Sequence, residues 1–154
     1  MSTATEHSAL APLRGNFVLL RADSLRLLLP QEDVGAAEYI SGMPDATGAT
    51  GIFAQGEGDA ARNVVALSGQ MRALPVFPQG RFLLTRLGGE EHDLSFAWSE
   101  VRVLIGAEFA PRPLPSALRM RNAPIASYVE FDGEITLCTT AASVVSHTLA
   151  ANGS

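Results

Sequence analysis

Asn16-Phe17-Val18-Leu19-Leu20-Arg21-Ala22-Asp23-Ser24-Leu25-Arg26-Leu27-Leu28-Leu29-Pro30 is the stretch on which the fold turns. It holds two strand-length apolar runs, Asn16 to Arg21 and Ser24 to Leu29, parted by Ala22-Asp23. A break that short between two such runs predicts a β-hairpin, with Asp23 supplying turn chemistry and Pro30 stopping the second strand.

The pattern continues downstream. Asn63 to Leu67, Met71 to Phe77 and Arg81 to Leu87 read as strands, with Ser68-Gly69 and Pro78-Gln79-Gly80 as turns. From His92 to Trp98, the alternation of Leu94, Phe96 and Trp98 predicts a half-buried strand, continued by Val101, Val103 and Ile105. Asp132-Gly133, between Pro124–Phe131 and Glu134–Thr139, is the strongest hairpin signal in the chain.

Other segments are less regular. Gln31 to Ile40 reads as a short helix or an irregular descent, and the three prolines of Ala110 to Pro115 as a linker. Ser116 to Met120 suggests one helical turn. Thr140 to Leu149 predicts a closing helix with Val144, Val145, Thr148 and Leu149 on one face. Residues 41–61, rich in glycine, read as a flexible loop. The expected organisation is a disordered tail over 1–14, one domain over 15–149 and a frayed end over 150–154. About nine short strands and one or two short helices make the class all-β, a sandwich or barrel.

Composition narrows the function. The 154 residues fit one domain, and 47% of them are hydrophobic, so a core is available without staples. No apolar run nears the roughly 18 residues that span a bilayer, and no basic residue precedes an apolar segment in Met1 to Ala11. The expectation is a cytoplasmic protein without membrane insertion. Net charge is −5, the basic residues are all arginine, and only Arg119 and Arg121 form a close pair, so nucleic acid lacks an electrostatic footing.

Gly-x-Ser-x-Gly does not occur, and Gly56-Glu57-Gly58 lacks the spacing and lysine of a phosphate loop. Cys138, the single cysteine, reads as a small core residue rather than half of a dyad with His147. His7, His92 and His147 share no ligand spacing, so no metal or other cofactor is expected. His92-Asp93 resembles a phosphohydrolase pair but opens an alternating strand. Glu32-Asp33 and Glu90-Glu91 adjoin turns. Glu130, Asp132 and Glu134 surround a hairpin tip, where two acids facing each other would bind a cation or raise a pKa.

Taken in order, these runs resemble the CheW-like domain of bacterial chemotaxis coupling proteins. The resemblance rests on Phe17–Arg21 with Leu25–Pro30 and the following Val34. It rests also on Ala66-Leu67-Ser68-Gly69 and the Leu74-Pro75-Val76 after it, on Arg81–Leu87 with Leu94–Leu104, and on Asp132–Leu137. It spans residues 15 to 149. Ala66 and Ser68 stand where the family's Asn-Leu-Arg-Gly segment has its asparagine and arginine.

The resemblance implies two SH3-like five-stranded β-barrels packed on a shared core and a non-enzymatic adaptor, with chemoreceptors and a histidine kinase as partners. It centres the binding surface on Leu67, Gly69, Met71 and Arg72. Related coupling domains serve pilus-based motility. The alternatives are a divergent β-barrel module that binds proteins outside chemotaxis and, third, a metal-dependent hydrolase built on His92-Asp93 and the 130–134 acids.

Overall fold

A computed structural model describes residues 10–40, 42–56, 61–88, 94–118 and 125–152. Its strands are β1 (Leu13–Ala22), β2 (Leu25–Pro30), β3 (Glu38–Tyr39), β4 (Asp45–Ala46), β5 (Phe53–Gln55), β6 (Arg62–Ala66), β7 (Leu83–Arg86), β8 (Leu94–Trp98), β9 (Glu100–Phe109), β10 (Arg112–Pro113), β11 (Ser127–Phe131) and β12 (Glu134–Cys138). One α-helix, α1 (Ala141–Asn152), follows them. The class is all-β.

Two sheets hold these strands, in the orders β10-β11-β12-β2-β1-β9 and β3-β7-β8-β6-β5-β4. Each has six strands rather than the expected five, and neither order returns on itself to close a ring. Side chains bridge the gaps instead. In the first sheet, Arg102 on the edge strand β9 reaches Asp132 in the β11–β12 turn at 2.9 Å. In the second, Arg62 on β6 pairs with Glu38 on the edge strand β3. Both pairs join strands far apart in sheet order, so each sheet curls toward a barrel.

The opening hairpin forms as its sequence predicts. Ala22 lies opposite Leu25, which leaves a two-residue turn, and Asp23 takes φ 55° there, a conformation Asp tolerates better than most residues. Unbroken apolar runs need both faces covered, and β1 and β2 have that. Phe17 and Leu28 point into the first sheet's own core. Val18, Leu20, Leu27 and Leu29 point into a second core shared with Val65, Phe96 and Trp98 of the other sheet and with Val144 of α1. Full burial of each such side chain stabilises by about 1.5–3 kcal/mol.

The same geometry corrects the reading of β8. Leu94, Phe96 and Trp98 fill the shared core, but Ser95 and Ala97 between them are buried as well. β8 runs between β7 and a parallel β6, and its two faces pack on different cores, Leu94, Phe96 and Trp98 on the shared one and Ala97 on the second sheet's own. Small residues on the second face imitate a solvent-facing period. On β9 the expectation fails in the other direction. Val101 packs against the shared core, whereas Val103 and Ile105 are exposed. A bulge follows, where Gly106 (φ 61°) donates its N–H to Asn16 Oδ1 at 2.9 Å and reverses which residues face inward.

Four irregular segments also differ from expectation. Gln31–Asp33 is one 3-10 turn, with β3 after it rather than a helix. The stretch 41–61 carries β4 and β5, and Phe53 is buried. Met71 to Phe77 is no strand; only Ala73 bridges, to Leu67, because Pro75 offers no N–H and Met71 turns the chain at φ 60°. The proline linker contains β10, a two-residue edge strand where proline costs no ladder bond. The Asp132-Gly133 turn has φ 53° and 76°, the left-handed pair that a two-residue hairpin demands.

α1 begins where Thr140 Oγ1 accepts the Ser143 N–H (3.2 Å) and Asp33 Oδ2 accepts the Ala141 N–H (3.0 Å). A carboxylate at a helix N-terminus also complements the helix dipole. Val144, Val145 and Thr148 are buried, but Leu149, expected on the same face, is largely exposed. No helix among the described residues is long and apolar enough to cross a membrane.

The first sheet draws on strands from both ends of the chain, the second on one continuous stretch from β3 to β8.

Candidate functional site

The four residues singled out in the sequence lie on one tight loop between β6 and Leu74. Ser68 organises it. Its N–H donates to the Arg72 carbonyl (2.8 Å), its carbonyl accepts from Met71 (3.0 Å), and its hydroxyl accepts the N–H groups of Gln70 (3.2 Å) and Arg72 (3.3 Å). Leu74 then donates to the Ala66 carbonyl at 2.8 Å. Ser68 thus closes the loop with its own side chain.

Only part of this set faces solvent. Leu67 and Met71 are sealed in the shared core, so a partner cannot reach their side chains, and they anchor the loop from inside. Arg72 is exposed and Gly69 half-buried. Gly69 rests on the turn of the opening hairpin, where a Cβ built on it would lie 2.3 Å from Ser24 Oγ. Gly69→Ala is therefore expected to cost about 1–2 kcal/mol through overpacking. Adding Ser24→Ala should return most of that, as read by urea denaturation. A double variant no more stable than Gly69→Ala would remove this contact from the account.

Beside the loop, a cavity of about 420 Å³ opens at the junction of the two sheets. Asp23 and Ser99 give it polar edges, and the half-buried Leu74 and Phe82 give it apolar walls. Sequence reasoning missed Ser24, Ser99 and Phe82, because only the fold brings the hairpin turn, the end of β8 and the loop before β7 together. Ser68 had a local signal, a serine immediately before a turn glycine.

The chemistry weighed from sequence is answered differently. At the 130–134 hairpin the acids do not face each other. Glu130 lies opposite Ile135 and Glu134 opposite Phe131. Glu134 binds Arg21 through both oxygens (2.9 Å each) and Arg26 at 2.8 Å, while Asp132 holds Arg102. Asp132 and Glu134 are thus both spent on arginines. The hydrogen bonds that Arg102 donates to Asp132 and then to Glu100 raise its pKa above the usual value. Among the described residues no group of three His, Cys, Asp or Glu side chains could hold a metal.

Burial pushes the Cys138 thiol up, and a hydrogen bond with Ser127 opposes the shift only in part, so the sulfur stays protonated at neutral pH. His147 Nε2 is buried and makes no hydrogen bond to Cys138. His92-Asp93, Glu90-Glu91, Arg119 and Arg121 lie outside the described residues.

No family model matches the chain, and no curated protein does. Among solved structures the chain is similar to the scaffolding protein TtCheW from Thermoanaerobacter tengcongensis, at 13% sequence identity and a TM-score of 0.51. The likeness covers 82% of this chain and 88% of that one. At that identity it is a likeness of fold, and the fold of this chain is CheW-like.

Proposed function

We propose that the chain is a non-catalytic adaptor that couples chemoreceptors to a histidine kinase in a chemosensory array. The observation that carries this reading is the likeness to a scaffolding protein over 82% of the chain. Two features of the candidate site support it. The Ser68 loop and the junction cavity form a preformed, largely apolar opening, the kind of surface that receives a partner without reorganising. Arg72 stands at the tip of that loop with its side chain in solvent.

Purified chain, titrated with the cytoplasmic tip of a chemoreceptor and with the regulatory domain of the kinase from the same organism, tests the proposal. Binding to at least one of them is expected at micromolar concentration, weakened about tenfold by Arg72→Glu, which corresponds to about 1.4 kcal/mol. Absence of binding to both at several hundred micromolar would overturn it.

A further inference from the structure

The second sheet carries an opening of its own, a cavity of about 430 Å³ bounded by Tyr39, Met43, Phe77, Arg81 and Phe82. That volume falls within the range of sites that take a small ligand or an anchoring side chain, about 300–1,000 Å³. Its floor is rigid. Phe77 meets Phe82 edge to face at 5.5 Å and Phe53 at 5.4 Å, and Ile40 donates its N–H to the Phe82 carbonyl at 3.1 Å, tying β3 to the floor.

The rim is wet and apolar. Tyr39 is 74% exposed, Met43 58%, and Val76, beside Phe77 in the chain, 76%. Large apolar side chains grouped around a concave, aromatic-floored opening mark an interaction surface rather than scattered exposure.

The electrostatics select the occupant. Arg81 is the only charged residue in this lining, and among the described residues it makes no ion pair and no side-chain hydrogen bond. Arg14, Arg21, Arg26, Arg62 and Arg102 are all neutralised by carboxylates of this chain. In a chain of net charge −5, an uncompensated guanidinium at an apolar opening favours an anionic group there and disfavours a cationic one.

We propose that this pocket receives a bulky apolar side chain from an acidic segment of a partner protein, with a neighbouring carboxylate pairing with Arg81. Tyr39 and Met43 would close over the anchor, and the phenylalanine floor would take its apolar face. The site goes beyond the junction opening, with which it shares Pro78 and Phe82, and it does not depend on the partner at the junction being a receptor or a kinase.

The test uses two acetylated, amidated pentapeptides, each a tryptophan flanked on both sides by two glutamates or by two lysines. Each is titrated against the isotopically labelled full chain, followed by amide and methyl shifts in nuclear magnetic resonance spectra. The glutamate peptide is expected to saturate, with the largest shifts at Tyr39, Met43 and Phe77. Its affinity should fall at least tenfold in Arg81→Glu, and the lysine peptide should fail to saturate. Arg81 and Met43 are exposed, so Arg81→Gln and Met43→Glu keep the fold and serve as second variants, each weakening binding. No binding, equal binding of both peptides, shifts centred elsewhere, or an affinity unmoved by Arg81→Glu would each overturn the proposal.

Discussion

Trp98→Ala is expected to lower stability by about 3–5 kcal/mol, the usual cost of emptying a large aromatic site in a core. Trp98 is fully buried, stacks on Phe96 at 6.0 Å and donates its indole N–H to Thr85 Oγ1 at 2.7 Å. The substitution removes a ring from the core that both sheets share, and it strands a hydroxyl that is itself 1% exposed. Against a total stability of about 5–15 kcal/mol for a domain, that loss leaves little margin. Trp98→Phe divides the effect, since it keeps part of the packing and loses the hydrogen bond. Adding Thr85→Val should recover about 1–2 kcal/mol, because an apolar pair costs less than one unpaired buried partner. Trp98 is the single tryptophan, so urea curves for its variants must be followed by circular dichroism. Equal stability of Trp98→Phe with and without Thr85→Val would sink the hydrogen-bond part of the argument.

The second large effect is expected at the charged end of the first sheet. Arg21 and Arg26 stand directly opposite each other on β1 and β2, an arrangement of like charges that is destabilising alone. Glu134 bridges them, and Arg26, its side chain only 4% exposed, also donates to the Phe131 carbonyl at 3.1 Å. Glu134→Gln leaves a buried guanidinium with a neutral neighbour. Breaking a buried pair from one side costs about 3–5 kcal/mol. Glu134 is 54% exposed, so water screens part of that, and a loss of about 2–3 kcal/mol is expected. Arg26→Met in the same chain should restore much of it, since a buried ion pair replaced as a unit by apolar atoms is often neutral. A double-mutant cycle in thermal denaturation gives the coupling, and a value near zero would mean that the bridge is a surface contact only.

The fold was legible where local chemistry and burial agree. Asp23 and Asp132-Gly133 announce turns because their conformations are rare and few residues adopt them. The runs at Phe17–Leu20 and Leu27–Leu29 announce strands, and the fold covers both of their faces. Legibility failed where tertiary context reversed a local signal. Ser95 and Ala97 imitate a wet face because a small side chain carries little apolar signal even where it is buried. Val103 and Ile105 imitate a core face because nothing in the pattern reveals that β9 is an edge strand. The candidate site was half legible. Leu67 and Gly69 marked the loop, but which of its residues face water depends on how that loop sits against Ser24, a contact between distant parts of the chain. The Arg81 pocket left no trace in sequence, since Tyr39, Met43 and Phe77 meet only through the β3–β7 pairing.

The contrast between a second sheet drawn from one continuous stretch and a first sheet drawn from both ends has a consequence for synthesis on the ribosome. β3 to β8 emerge together, and their sheet is complete before β9 is made. The opening hairpin emerges earlier still but finishes last, because β2 must wait for the parallel partner β12. During that interval Arg26 lacks Glu134, and the apolar faces of β1 and β2 have only the second sheet to lean on. The nascent chain thus passes through a state with one finished sheet, an open edge on β2 and two guanidinium groups, Arg21 and Arg26, without their carboxylate. In that state premature pairing with a neighbouring chain is the chief hazard.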